Sequence, residues 1–341
     1  MNNIYDLTYN QLEDVLLNNK IQKFRAKQIW NWLYVHLVED FESMQNIDSK
    51  TIDFLKKKYY IPQIDIVKKE EARDGTIKLL LKLNEEDLIE TVLLDQRYGK
   101  SVCVTTQVGC NIGCSFCASG LLGYKRNLSA GEIVLQIVAF SRILKEQRVS
   151  HVVVMGIGEP FKNYQNTISF IDIINNSDGL NIGARHITVS TSGIVNKIDE
   201  FATYDKQVNL AISLHAPNNK LRSSIMHIND VYNIESIILS VRNYIKLTNR
   251  RVSFEYIMLE GINDSKEVAY QLVKLLKGIN CHVNLIPFNK VDELIYNGSS
   301  KETIDIFKQV LLDNNIQVTA RQEHGSDING ACGQLRHKES N

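Results

Sequence analysis

From Ser101 onward, short apolar runs alternate with amphipathic segments, and that alternation leaves few architectures open. Strand-like runs occupy residues 102–106, 151–155, 186–190, 208–214, 252–258, 282–287 and 316–320. Between them lie stretches with a helical stripe, such as 129–144, 234–247 and 266–276, the first opened by the capping box Ser129–Glu132. Repeated β-α units require a parallel sheet with right-handed crossovers. Their number suits an α/β protein built as an incomplete (β/α) barrel, with reactive groups at the carboxyl ends of its strands.

Ahead of this core, residues 1–60 read as a small helical domain. Thr8 and Gln11 form a capping box for a helix over Tyr9–Asn18, and the segment 24–37 places Ile29, Trp30, Leu33, Tyr34 and Leu37 on one stripe. Lys23, Arg25 and Lys27, then Lys56, Lys57 and Lys58, are basic clusters beside aromatics. They are either solvated helix faces or a grip on an RNA backbone. Residues 61–100 change to short strands at 64–67, 76–81 and 88–94, with Asp74-Gly75 as a hairpin turn, which makes an antiparallel β extension. Glu90 lies in it among apolar neighbours and, on its own, reads as an exposed strand-face carboxylate. The main domain then spans 101–322, and 323–341 form a C-terminal segment carrying Cys332.

Composition closes some alternatives. Lys and Arg balance Asp and Glu at 39 each in 341 residues, so no overall basic character announces a nucleic-acid partner, although a local surface suffices for one. No apolar run is long enough to span a bilayer, and no basic-then-apolar leader opens the chain. Six cysteines, three of them in one loop, suit a reducing compartment and a metal site better than a disulfide framework. Cytoplasm is the expected location, and a monomer the expected state.

That loop is Val108-Gly-Cys-Asn-Ile-Gly-Cys-Ser-Phe-Cys-Ala-Ser-Gly120. Cys110, Cys114 and Cys117 follow a C-x3-C-x2-C spacing, with Phe116 before the last thiol. Three thiolates are one short of closing a zinc site or an iron–sulfur cluster, so a 4Fe–4S cluster held by them keeps one iron open. The competing readings are buried core thiols and a zinc site that borrows a distant His. Polar strand ends surround the same rim: Met155-Gly-Ile-Gly-Glu-Pro160, Val189-Ser-Thr-Ser-Gly193, Ser213-Leu-His-Ala-Pro217 and Asn284-Leu-Ile-Pro-Phe-Asn289. Each alone is an ordinary turn or a core histidine. Together they outweigh any single one. Cys103 lies on the first run and Cys281 reads as core, whereas Cys332 in Asp327-Ile-Asn-Gly-Ala-Cys-Gly-Gln-Leu335 sits in a poor place for a core filler.

The cysteine spacing with its aromatic resembles the signature of the radical S-adenosylmethionine (radical SAM) superfamily. There SAM chelates the open iron, and one electron cleaves it to a 5′-deoxyadenosyl radical. The resemblance narrows with Phe24-Arg-Ala-Lys-Gln-Ile-Trp, Gln107-Val-Gly-Cys, Gly158-Glu-Pro160, Ser190-Thr-Ser-Gly193, Ser213-Leu-His-Ala-Pro217, Asn249-Arg-Arg-Val, Phe254-Glu-Tyr, Cys281-His-Val-Asn-Leu-Ile-Pro and Ala331-Cys-Gly-Gln-Leu335. Nearly end to end, these look like the RlmN family, which methylates C2 of an adenosine in 23S ribosomal RNA and, in some members, an anticodon-adjacent adenosine in tRNA. Departures are Asn329-Gly330 where the family often has Asp-Ala, and His227 where it often has Pro. The sister Cfr family, which methylates C8, typically has Ala where this chain has Pro160.

The resemblance implies a site. Cys110, Cys114 and Cys117 would hold the 4Fe–4S cluster, and Gly158, Glu159, Ser190, Ser213, Leu214, His215 and Asn289 match SAM-binding positions. Two SAM molecules serve each turnover. Cys332 takes a methyl group from one, and the second supplies the radical that activates that methyl for addition to the base. Glu90 matches the proton acceptor, and Cys103 the thiol that resolves the protein–RNA adduct by a disulfide with Cys332. The target base must be unstacked to enter, and a flavodoxin or ferredoxin is the implied electron donor. C8 methylation, a radical SAM reaction on a small molecule, and a non-enzymatic iron–sulfur module stay open at this point.

Overall fold

The predicted capping box forms. The Thr8 hydroxyl accepts from the Gln11 amide and the Gln11 side chain accepts from the Thr8 amide, opening α1 (Tyr9–Asn18). The computed structural model describes residues 1–145, 147–322 and 324–335; positions 323 and 336–341 of the C-terminal segment lie outside the described residues. Helix α2 (Phe24–Tyr34) buries Ile29, Trp30, Leu33 and Tyr34 in a core shared with α1 and α3 (Ser49–Lys58), with Trp30 packed on Tyr34 and Tyr9. It stops short of Leu37, because the Val35 and His36 amides both fall on the Asn31 carbonyl and Leu37 turns left-handed at φ 54°. A short parallel pair, β1 (Asn2–Asn3) with β2 (Tyr59–Tyr60), closes this unit.

The basic clusters at its surface are largely matched by carboxylates. Lys23 pairs with Glu13 at 3.1 Å, Arg25 with Asp48 at 3.0 Å and Lys27 with Asp178 at 2.9 Å, while Lys56 meets Glu42. Paired, exposed charges of this kind are what solvated helix faces carry.

Strands β3 (Asp65–Glu71), β4 (Ile77–Lys82) and β5 (Leu88–Gln96) form the expected antiparallel meander, turned at Gly75, whose φ of +82° suits glycine. The meander is continuous with the core. β5 pairs antiparallel with β6 (Gly99–Cys103), and β6 pairs parallel with β9 (Val149–Val154). A separate hairpin, β7 (Gln107–Gly109) and β8 (Tyr124–Asn127), brackets the cysteine loop. Strands β9 (Val149–Val154), β10 (Ile187–Thr191), β11 (Asn209–Ser213), β12 (Val252–Met258), β13 (Cys281–Pro287) and β14 (Gln317–Ala320) continue in parallel, giving one ten-stranded sheet ordered β14-β13-β12-β11-β10-β9-β6-β5-β4-β3. The sheet has two edges and no closure, as an incomplete barrel requires. Helices α4 (Ala130–Leu144), α5 (Tyr164–Asn175), α6 (Val195–Phe201), α7 (Asn219–Ile225), α8 (Ile234–Thr248), α9 (Lys266–Leu276) and α10 (Lys301–Asp313) make the crossovers.

The first core strand begins earlier than its apolar run suggests. Beyond Cys103 the hydrogen bonding changes hands: the Thr105 amide donates to Gln136 of α4 and its hydroxyl donates to the Glu90 carbonyl, which bends the chain toward the cysteine loop. Among the described residues, no helix is long and apolar enough to cross a membrane.

Candidate active site

The cysteine loop is shaped by two glycines that no other residue could replace cheaply. Gly109 and Gly113 adopt φ of +72° and +74°, and a Cβ on Gly109 would stand 1.7 Å from the Gly123 carbonyl oxygen. The Cys110 amide donates to Gly123 and the Cys117 amide to Cys114, so the three thiols turn toward one cavity of about 160 Å³. Burial pushes the Cys110 thiol up to about 11 and raises Cys114 and Cys117 as well, with neighbouring thiols adding to the effect on Cys110 and Cys114. Protonated thiols in such surroundings become ligands when a cation displaces their protons. Among the described residues, no three His, Cys, Asp or Glu groups are clustered to hold one metal ion. A cube of irons and sulfides asks for a wider spacing, since each thiolate binds its own iron.

Strand ends furnish the rest of this cavity. Gly158 sits at φ +107°, where a Cβ would meet Gln107 at 2.7 Å, leaving bare backbone toward the cavity. Glu159 is buried; its oxygens accept from the Ser192 amide at 2.7 Å and the Phe161 amide at 2.9 Å, and burial still raises its pKa. The Ser190 and Ser213 hydroxyls lie 3.4 Å apart. His215, left-handed at φ 59°, accepts from the Ile257 amide through Nδ1 at 3.0 Å and meets Phe116 edge-on at 4.9 Å. Burial, then the Arg222 charge, lowers its pKa to about 3, so the ring is neutral and its proton rests on Nε2. Leu214 is fully buried and contributes backbone: its amide donates to Glu255 and its carbonyl accepts from Arg222.

The C-terminal segment is tied onto the cysteine loop, a contact that no local motif announces. The Ala118 amide donates to the Gly333 carbonyl at 2.8 Å and the Ser119 hydroxyl to the Leu335 carbonyl at 3.1 Å. Just before these ties, Cys332 lines the first cavity and also a second, of about 420 Å³. Cys103 lines the second, as does Asn289, whose amide donates to the Cys332 carbonyl at 3.3 Å. Both thiols are free, and burial, followed by the nearby Cys332, pushes Cys103 up to about 12.

Glu90 lies outside both cavities, although strand alternation puts it on the same sheet face as Val92, whose cross-strand partner is Cys103. It is buried and pairs with Lys78 at 3.2 Å; Lys78 in turn reaches Glu70 at 3.1 Å. The expectation of an exposed strand-face carboxylate therefore fails on burial. Residue-by-residue reading also missed Arg321 and Glu255. Arg321 follows β14 at the junction of the cavities, its Nη1 3.9 Å from the Cys332 sulfur and 3.8 Å from that of Met155. Glu255 pairs with it at 3.3 Å and is held by Asn284, which accepts from Thr319. Register aligns Glu255, Asn284 and Thr319 across β12, β13 and β14; the only signal in the sequence was Phe254-Glu-Tyr, with no role attached.

Comparison with known proteins decides the family. Residues 104–273 match the Radical SAM superfamily, and residues 2–61 match the ribosomal RNA large subunit methyltransferase N-terminal domain. A probable dual-specificity RNA methyltransferase RlmN of Acholeplasma laidlawii is 55% identical over 335 residues, covering 98% of each chain. The chain belongs to the RlmN family. An RlmN relative from Listeria welshimeri is 54% identical over 98% of this chain and 94% of its own. The crystal structure of a radical SAM methyltransferase from Sphaerobacter thermophilus superposes with a TM-score of 0.94 at 43% identity, over 98% of this chain and 99% of that one.

RlmN-family enzymes carry a 4Fe–4S cluster and use SAM, and the residues here fit both. Three thiols converge on one cavity. The Ser192 hydroxyl and the Asn289 carbonyl oxygen are buried without a hydrogen-bond partner among the described residues, and the backbone at Gly158 is open for close approach.

Proposed function

We propose that this chain methylates C2 of an adenosine in 23S ribosomal RNA, and of the anticodon-adjacent adenosine in tRNA, through a methyl group carried on Cys332. One observation carries the reading: Cys332 lines both cavities, with the cluster cysteines in one and Cys103 in the other. The dual-specificity RNA methyltransferase relatives support an RNA substrate of two classes.

Adenine C2 is electron-poor and has no nucleophilic lone pair, so polar methyl transfer does not reach it. Bound at Cys110, Cys114 and Cys117, with SAM on the rim, the cluster supplies the one-electron chemistry that overcomes this. Cys332 acts first, as a thiolate that takes a methyl group; the Arg321 Nη1 stands 3.9 Å from its sulfur. Gly158, Glu159, Ser190, Ser213, Leu214, His215 and Asn289 hold and orient SAM. The unstacked base enters the larger cavity between Val92, Leu94, Val153 and Pro287. Once the carbon on Cys332 is bonded to C2, Glu90 accepts the C2 proton. The adduct gives back one electron with that proton, leaving a neutral thioether. Cys103, as a thiolate, then attacks the Cys332 sulfur; the carbon–sulfur bond breaks with its electron pair on the carbon, which takes up a proton to become the methyl group, and a thiol reductant reopens the disulfide that remains.

Residues 1–60 would serve as an accessory RNA-facing domain, 61–100 carry Glu90 into place, 101–322 hold the cluster and SAM, and 323–341 bring Cys332. A flavodoxin or ferredoxin reduces the cluster, and the enzyme acts as a cytoplasmic monomer.

The test is an anaerobic reaction of the protein with iron, sulfide, methyl-labelled SAM, a reductant and protein-free 23S rRNA or tRNA, read by nucleoside mass spectrometry. Labelled 2-methyladenosine is the expected product. Labelled 8-methyladenosine would move the chain to the sister reaction, and SAM cleavage without labelled RNA would remove the RNA substrate.

A further inference from the structure

Arg222 on α7 has no exposed surface, and among the described residues its guanidinium donates only to neutral oxygens. These are the carbonyls of Ser192, Ser213, Leu214 and Tyr232 and the side-chain oxygen of Asn229, at 2.5–3.3 Å. No ion pair among the described residues involves it, and the one group that opposes the effect of burial on it is the Cys114 thiol, which is itself protonated. Carbonyl dipoles solvate a cation without cancelling it, and a buried charge lacking a counter-ion is strongly disfavoured. Burial pulls its pKa down to about 10, which still leaves it charged at neutral pH.

Its location says where the missing negative charge belongs. Three of the four carbonyls that it gathers, those of Ser192, Ser213 and Leu214, come from the ends of β10 and β11, and Ser192 and Ser213 line the smaller cavity. One turn further along, α7 docks on the cysteine loop: Cys114 bridges to Met226, and the Ser115 amide and hydroxyl both donate to the Ile225 carbonyl, at 3.0 and 3.2 Å. The guanidinium is therefore fixed between the rim and the loop that carries Cys114.

We propose that Arg222 is the built-in counter-charge of the iron–sulfur cluster and favours its reduced state. The inference rests on the reading that Cys110, Cys114 and Cys117 hold that cluster. A cluster bound by three thiolates is anionic, and reduction makes it more so by one electron, taken from a low-potential one-electron donor without proton transfer or bond change. A fixed cation stabilises the more negative form more, which raises the reduction potential. Because the charge is buried, salt does not screen it.

The experiment is a potentiometric titration of the reconstituted, iron-loaded protein, following the paramagnetic signal of the reduced cluster. Wild type, Arg222→Lys, Arg222→Gln and Asn229→Asp are compared. Arg222→Gln is expected to shift the midpoint to lower potential, while Arg222→Lys, which also loses most of the hydrogen bonds, stays near wild type. Asn229→Asp sets a carboxylate against the guanidinium at the present 3.1 Å contact and is expected to lower the midpoint with Arg222 still in place. Equal shifts in Arg222→Lys and Arg222→Gln, or an unshifted Asn229→Asp, would overturn the proposal. If Arg222→Gln loads no iron, Asn229→Asp alone decides. Wild type that assembles no cluster, or a cluster kept in full by Cys114→Ala, strikes the underlying reading instead.

Discussion

The two cavities that meet at Cys332 are built differently. The smaller is walled by strand ends and turns: Gly158 at positive φ, a left-handed His215, and the Glu159 carboxylate committed to two backbone amides. The larger is walled by mid-strand side chains, Val92, Leu94 and Val153 among them, that alternate along ordinary strands. One wall fixes reagents in a single pose, where backbone amides and rigid turns hold geometry. The other offers an apolar slot for a flat base and little direction. Cys332 belongs to both, and so does Arg321. A group that is loaded on one side and discharged on the other has to stand at such a junction.

Removing the junction has the largest effect. Cys332→Ala is expected to abolish RNA methylation while the cluster still assembles, checked by iron content, absorbance and nucleoside analysis. Iron-free protein from that variant would argue against a carrier separate from the cluster. Filling only the larger cavity divides the two halves of the reaction. Leu94→Trp should cut RNA methylation by about 10–100-fold, as misplacement of a reacting group does, while methylation of Cys332, read by intact-protein mass, continues. If Cys332 methylation falls equally, the cavities are one site.

A pH series sharpens the contrast at Cys103. Its thiol is pushed up to about 12 by burial, so it is protonated at neutral pH and its reactive thiolate grows with pH. Decay of the protein–RNA adduct on denaturing gels is expected to quicken roughly tenfold per pH unit below that value. A rate independent of pH would mean that another group discharges the adduct. The smallest effect belongs to a single rim hydroxyl. Ser190→Ala loses one contact, worth about 0.5–1.5 kcal/mol, and should weaken SAM binding several-fold by calorimetry without changing the product.

The unequal construction of the cavities explains what could be read in advance. The small cavity comes from contiguous motifs: three cysteines in one loop, and Gly158-Glu, Ser190 and Ser213-Leu-His at successive strand ends. Glycine, thiol and hydroxyl types at fixed offsets are local signals, and the alternation of runs located the strands that carry them. What was not legible depends on register. Glu255, Asn284 and Thr319 align only because β12, β13 and β14 pair in one particular way. Arg222 lies in no motif of the sequence, and only the burial of α7 against the cysteine loop brings it to notice. The docking of Cys332 runs through backbone groups, the Ala118 amide on Gly333, for which side-chain identity carries no information. Glu90 shows both sides: resemblance pointed to it, while its strand context alone suggested solvent, and only the packing with Lys78 shows it buried.

One carbon passes through Cys332 from the smaller cavity to the larger in the proposed reaction. A single turnover of Cys103→Ala with methyl-deuterated SAM and an RNA fragment, followed by digestion and mass spectrometry of the Cys332 peptide, tests it directly. A peptide joined to adenosine through one labelled carbon is the expected result. Labelled methyladenosine in the RNA with an unmodified Cys332 peptide would contradict it.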